Sequence, residues 1–98
     1  MDQKFIENMK QSWASRGFSC ELWIDPPRQL WENYQHPVDE LLMLLEGELR
    51  VEISGVSQNA QLKKEIFIPA NTLHSVENIA HSRASWLYGY RKSIRKIR

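Results

Sequence analysis

The sequence predicts an all-β domain, a barrel or a sandwich, preceded by one short amphipathic helix. After Gly17 the spacing of apolar residues changes from a helical period to a period of two. Short apolar runs then alternate with glycine and proline turn signals, and no helical pattern separates them. A length of 98 residues allows one domain. We therefore assign residues 1–17 to the helix, 18–90 to the barrel and 91–98 to a basic tail.

The helix is predicted from Asp2 to Arg16, with Asp2 in the N-cap region and Gly17 as a left-handed C-terminal cap. Its apolar positions form a stripe along one face. They are Phe5, Ile6, Met9 and Trp13. We expect this stripe to close one end or face of the barrel.

The first strand is predicted over residues 18–25, before Pro26 and Pro27 interrupt it. Phe18, Cys20, Leu22 and Ile24 alternate with Ser19, Glu21, Trp23 and Asp25. A half-buried strand would bury the first set and expose the second. The lone Cys20 cannot form an internal disulfide, and we interpret it as a small core residue.

The second strand is predicted over residues 29–36, with Glu32, Tyr34 and His36 on one face. Trp31 would then lie on the opposite face, on the barrel exterior or at a subunit interface. The uninterrupted apolar run 41–45 is typical of a strand covered on both sides. A partner subunit could supply one cover, so we expect a homodimer.

Further strands are predicted over residues 49–53, 66–68, 74–79 and 84–90, and a polar edge strand over 56–62. The net charge is +1, but the last eight residues carry +5 and leave −4 on the rest. We expect this tail to be solvated rather than bound to nucleic acid. Because the sequence contains no apolar run of signal-peptide or membrane-spanning length, we expect a cytoplasmic protein without membrane contact.

His36, Glu40 and His74 are the candidate metal ligands. Two imidazoles and one carboxylate on the inner wall of a barrel form a facial triad with open coordination positions. These ligand types suit one divalent ion of Fe, Mn, Zn, Ni or Co, and affinity alone does not select among them.

Two stretches of the chain resemble the two motifs of the cupin family. In YQHPVDELLMLLEGE, the matching positions are His36, Glu40 and Gly47. In KKEIFIPANTLHSVEN, they are Pro69, His74 and Asn78. The resemblance covers residues 18–90 and implies a double-stranded β-helix barrel of the jelly-roll type, often dimeric, with a metal inside.

Four motif positions depart from the family pattern. Arg28, Lys63 and Asn71 replace glycines at turns, and Asn tolerates a left-handed backbone better than most residues. Tyr34 replaces the first histidine ligand, so a site with three histidines and one glutamate is ruled out. Three roles remain open for Tyr34: packing above a three-ligand metal, binding the metal as a phenolate, or marking a site that has lost its metal.

The resemblance implies a mononuclear metal cupin acting on a small organic molecule in the barrel, by oxygenase- or isomerase-type chemistry. In that case Tyr34 or Glu32 handles protons, although a solvated carboxylate is the plainer interpretation of Glu32. We expect His81, in a polar loop, to be exposed. The alternative function is a non-enzymatic module that binds or senses a small ligand or a metal.

Overall fold

The structure is a computed structural model that describes residues 2–92, and in it two four-stranded antiparallel sheets face each other. One sheet has the strand order β1-β8-β3-β6 and the other β2-β7-β4-β5. The elements are α1 (Gln3–Ser15), β1 (Glu21–Asp25), β2 (Leu30–Tyr34), β3 (Glu40–Glu46), β4 (Leu49–Ile53), β5 (Val56–Asn59), β6 (Glu65–Ile68), β7 (His74–Asn78) and β8 (Ala84–Tyr90). The predicted all-β fold with one N-terminal helix is confirmed, and the exposed β5 forms a sheet edge as expected.

The helix begins and ends where its capping residues predict. The Asp2 side chain accepts a hydrogen bond from the backbone N–H of Phe5, and Gly17 has a φ of 87° directly after the helix. Ile6 and Trp13 are buried against the outer face of the sheet that contains β3 and β8. The predicted role of the stripe is therefore confirmed.

Strand β3 is covered on both faces, as its sequence predicts. Leu42 and Leu44 point into the barrel core, while Leu41 and Met43 pack with Trp13 of the helix. The second cover is therefore α1 of the same chain. Strand β3 therefore needs no partner subunit as a cover, and the homodimer stays a prediction.

The predicted burial of β1 is wrong in its second half. Phe18 and Cys20 lie under the helix, but Leu22 and Ile24 extend beyond it and are 37% and 47% exposed. The face with the polar residues is the inner one, where Asp25 is completely buried. The alternation was correctly identified, but the helix covers only part of the apolar face.

The predicted face of Trp31 is also wrong, because β2 contains a bulge. Trp31 pairs with Val76 and Tyr34 with His74, so three steps on β2 match two on β7. Asn33, with a φ of 59°, supplies the extra residue. The bulge turns Trp31 inward together with Tyr34, whereas Glu32 stays exposed.

The turns that lack the motif glycines keep the backbone that glycine would favour. The φ angles of Arg28, Lys63 and Asn71 are 67°, 59° and 58°. Non-glycine residues tolerate this left-handed region at a modest cost when the turn itself is held by other contacts. At Gly47 the glycine is required, since a Cβ there would lie 2.7 Å from the Arg83 carbonyl oxygen.

The first two residues of the predicted basic tail, Arg91 and Lys92, make backbone hydrogen bonds to Asp39 and Gly17. Arg91 forms a bridge with Phe18, and its guanidinium pairs with Asp39 and lies over the Phe18 ring. The rest of the predicted basic tail, residues 93–98, lies outside the described residues. Among residues 2–92, no helix has the length and hydropathy needed to cross a membrane.

Candidate functional site

Three strands bring the candidate metal ligands together at one end of the barrel. His36 follows β2, Glu40 opens β3 and His74 opens β7. Glu40 Oε1 lies 3.2 Å from His74 Nε2 and 3.8 Å from His36 Nε2. One ligand atom from each residue falls within 4.8 Å of the others. The three residues therefore form the triad that a single ion could bridge.

Glu40 has the feature that best fits a bound cation. Its side chain is 6% exposed, and its buried Oε1 accepts no hydrogen bond among the described residues. Leaving a buried acceptor without its hydrogen bond costs roughly 1–3 kcal/mol. Burying an uncompensated charge costs more, so a carboxylate in this position needs a cation or a donor. Two imidazoles converging on that oxygen make a metal ion the fitting compensation.

His74 is oriented for ligation by its outer ring nitrogen. Its Nδ1 lies 3.0 Å from the Thr72 carbonyl oxygen, so Nδ1–H donates there and the Nε2 lone pair faces the triad. The Glu40 carboxylate raises the pKa of His74, and burial opposes that rise. An ion bound at Nε2 would take the place of the proton that Glu40 stabilises.

His36 is enclosed by two tyrosines. Tyr34 stacks on its ring at a centroid distance of 6.2 Å, and Tyr90 approaches edge-on at 4.8 Å. The Tyr90 hydroxyl lies 3.5 Å from His36 Nε2. Burial, followed by the Glu40 charge, raises the pKa of Tyr90 to about 12, so its phenol stays protonated at neutral pH. Tyr90 was not among the predicted site residues, although this residue ends the predicted strand 84–90 and lies two positions after Tyr88.

The triad opens into a cavity of about 230 Å³ with an aromatic wall. The only aliphatic side chain that lines it among residues 2–92 is that of Val76. Besides the triad, the lining consists of Trp23, Trp31, Tyr34, Trp86, Tyr88 and Tyr90. Such a cavity can bury a small organic molecule next to the ligands.

A second buried carboxylate, Asp25, lies behind this wall. Asp25 Oδ1 accepts hydrogen bonds from Trp23 Nε1 at 2.7 Å and Trp31 Nε1 at 3.0 Å, and Oδ2 accepts from Trp31 Nε1 and Trp86 Nε1, both at 3.1 Å. The sequence analysis missed this residue because it assigned Asp25 to the polar, exposed side of β1. The available signal was the four tryptophans, whose indole N–H groups need acceptors when buried.

Known structures share this architecture. The chain superposes on an oxalate oxidase in complex with the substrate analogue glycolate, with a TM-score of 0.70 and 22% identity over 80% of this chain and 43% of that one. It superposes on the cupin domain of Schizosaccharomyces pombe Cnp3 with a TM-score of 0.71 and 13% identity, covering 79% and 57% of the two chains. The chain folds as a small cupin domain.

These similarities establish the fold alone, because the identities lie between 13% and 23%. TT1209 from Thermus thermophilus is similar at a TM-score of 0.69 and 23% identity, over 78% of this chain and 74% of that one. The chain spans 43% to 57% of the oxalate oxidase and Cnp3 structures. The sequence matches no protein-family model and no curated protein.

The cavity lining does not include four other titratable residues, which are Glu32, His81, Asp39 and Cys20. Glu32 is exposed and does not line it, and His81 is exposed in its loop as expected. Asp39 points away from Glu40 and accepts the Ala70 N–H and the Arg91 guanidinium, which lower its pKa in that order. Cys20 is buried as predicted, and burial raises the pKa of its thiol to about 11, so it is no ready nucleophile.

Proposed function

We propose that this cupin holds one divalent metal ion through His36, Glu40 and His74 and uses it to bind a small organic molecule in the aromatic cavity. The observation that carries the proposal is the buried, unpartnered Glu40 Oε1 between two imidazoles. A bound ion of this kind supplies Lewis-acid or oxygen-binding chemistry, which suits an isomerase or an oxygenase. The proposal includes the cytoplasm as the location and a homodimer as the assembly.

The chain's own residues would bind and orient the ligand and exclude water. The aromatic wall covers the apolar part of the molecule, while the Tyr90 phenol can donate a hydrogen bond to an oxygen near His36. Tyr34 lines the cavity and is 42% exposed, so its phenol can hydrogen-bond both to a bound ligand and to solvent. Glu32 has no part in this proposal because its side chain lies outside the cavity.

One observation favours a second function, a non-enzymatic module that binds or senses a small ligand or a metal. Among residues 2–92, the acid–base groups that line the cavity besides the triad are phenols. Burial raises the pKa of Tyr90, so this phenol donates hydrogen bonds at neutral pH but does not accept protons readily. Turnover would then depend on the metal-bound groups alone, whereas ligand binding needs no base.

Elemental analysis of purified protein tests the metal site. We expect close to one equivalent of a divalent metal in the wild type and its loss in His36→Ala and in His74→Ala. His81→Ala is the matched control, since His81 is an exposed histidine outside the cavity. It should retain the wild-type metal content.

A metal-free wild type would contradict the proposal if anaerobic incubation with Fe(II), Mn(II), Ni(II) and Zn(II) also failed to load it. Tyr34 would then mark a lost site. Equal metal loss in His81→Ala would show that the metal binds histidines nonspecifically. Turnover assays on loaded protein would separate the enzyme from the binding module.

A further inference from the structure

Three tryptophans from three strands donate their indole N–H groups to one carboxylate. Trp23 belongs to β1, Trp31 to β2 and Trp86 to β8, and all three line the cavity. Their common acceptor, Asp25, is completely buried. Each hydrogen bond to the Asp25 carboxyl group is donated by an indole N–H. This arrangement fits the ionised form of the carboxyl group, which only accepts hydrogen bonds.

This arrangement leaves negative charge without a cationic side chain to balance it. Asp25 makes no ion pair with a lysine, arginine or histidine among residues 2–92, and none of the cavity-lining residues is a lysine or arginine. The electrostatic potential beside Asp25 therefore favours a positive charge.

The aromatic wall suits a cation without hydrogen-bond donors, because both oxygens of Asp25 already accept indole N–H groups. Trp23 meets Trp31 at 72° and Tyr88 at 81°, so the rings form walls around a space rather than a parallel stack. The face of an aromatic ring attracts cations, and tryptophan attracts them most strongly. Because each indole N–H donates to an anion, its ring becomes more electron-rich, which strengthens that attraction.

We propose that the box formed by Trp23, Trp31, Trp86 and Tyr88 binds a small quaternary ammonium group. Asp25 holds the indoles in place and supplies the negative field. The inference rests on the proposed function in placing the ligand in the same cavity, and it names the class of that ligand. A molecule with an ammonium group at one end and an oxygen at the other would reach both the box and the triad.

The test compares choline with 3,3-dimethylbutan-1-ol, which has the same shape and no charge. Calorimetric titration of the purified protein should give choline an affinity at least about tenfold higher than that of the neutral alcohol. Equal binding of the two molecules would show an apolar pocket and overturn the proposal. Failure of both to bind would overturn it as well.

Variants assign the effect to the box. Trp23→Leu removes one wall at a partly exposed site and should lower choline affinity severalfold, whereas the exposed Phe67→Leu on β6 should leave it unchanged. Asp25→Asn should reduce the preference for choline over the alcohol. Since that variant puts an amide among buried donors and endangers folding, Trp23→Leu carries the decision; unchanged choline affinity in it would overturn the proposal.

The metal ligands separate this proposal from the proposed function. His74→Ala should lose metal but keep the preference for choline, because His74 is not part of the box. Loss of the preference in His74→Ala would assign it to the triad and overturn the box. Choline binding in a wild type that loads no metal would instead contradict only the metal proposal, and metal loading without choline preference would contradict only the box.

Discussion

At the scale of single residues, the barrel compensates its two buried carboxylates in different ways. Three indole N–H groups surround Asp25, so its charge is spread over fixed donors. Glu40 faces two imidazoles, and among residues 2–92 its Oε1 accepts no hydrogen bond. Burying a carboxylate is costly unless it is paired or coordinated. Because the oxygens of Asp25 accept hydrogen bonds and Glu40 Oε1 does not, Glu40 is the carboxylate available to an ion.

This difference predicts how Glu40→Gln responds to metal. A metal that binds only the folded state at about 100 times its Kd stabilises that state by about 2.7 kcal/mol. In a chain of this size the midpoint of thermal unfolding should rise by more than about 10 °C. We expect that rise in the wild type and its absence in Glu40→Gln, measured by differential scanning fluorimetry with and without added metal. Asp39→Asn is the control, and an equal rise in Glu40→Gln would contradict the assignment.

The sequence allowed the triad to be predicted but not the aromatic box. His36, Glu40 and His74 were predicted from their residue types and from the spacing of the two motifs that resemble those of the cupin family. Trp31 was placed on the wrong face because one extra residue at Asn33 reverses the alternation of β2. A bulge of this kind has no reliable signature in side-chain pattern, since it depends on the pairing with β7.

At the scale of elements, one carboxylate on β6 fastens the helix to the barrel. Glu65 accepts a hydrogen bond from Trp13 Nε1 at 3.0 Å and two from the Arg16 guanidinium, at 2.8 and 2.9 Å. The Arg16 bond, followed by the Arg16 charge and the Trp13 bond, lowers the pKa of Glu65 against the opposing effect of burial. The helix is thus held by a polar contact at its C-terminal end as well as by its apolar stripe.

Glu65→Gln should destabilise the fold at neutral pH by about 1 kcal/mol, a modest value because Arg16 is half exposed and water screens the pair. A carboxylate with a lowered folded pKa stabilises above its unfolded pKa of about 4.3, and this contribution is lost as pH falls through the folded value. The difference between wild type and Glu65→Gln in urea unfolding should therefore narrow below about pH 4.

The exposed Glu52→Gln on β4 serves as the control and should leave stability unchanged at both pH values. A difference between wild type and Glu65→Gln that stays constant with pH would contradict an ionic contribution. The sequence predicted the helix and its buried face from the stripe and the caps. It did not predict the Glu65 contact, because the two partners are 49 residues apart and the pairing arises only from the tertiary fold.

At the scale of the whole molecule, the helix changes where a second copy could bind. It covers the outer face of β3, which the sequence analysis had left for a partner. Exposed apolar side chains remain at both edges of the same sheet: Leu22 and Ile24 lie side by side on the outer face of β1, and Phe67 lies on β6. An unpaired edge with apolar side chains is a common site of association between chains.

The homodimer therefore stays a prediction with a different location. We expect size-exclusion chromatography with light scattering to give the wild type a molar mass of twice the chain mass of 11.6 kDa. Ile24→Lys should shift the protein to the monomer, because a lysine at this edge places a charge in the apolar contact. The control is Val56→Lys on β5, an exposed edge strand of the other sheet, and this variant should remain dimeric. A monomeric wild type, or a dimeric Ile24→Lys, would rule out association through β1.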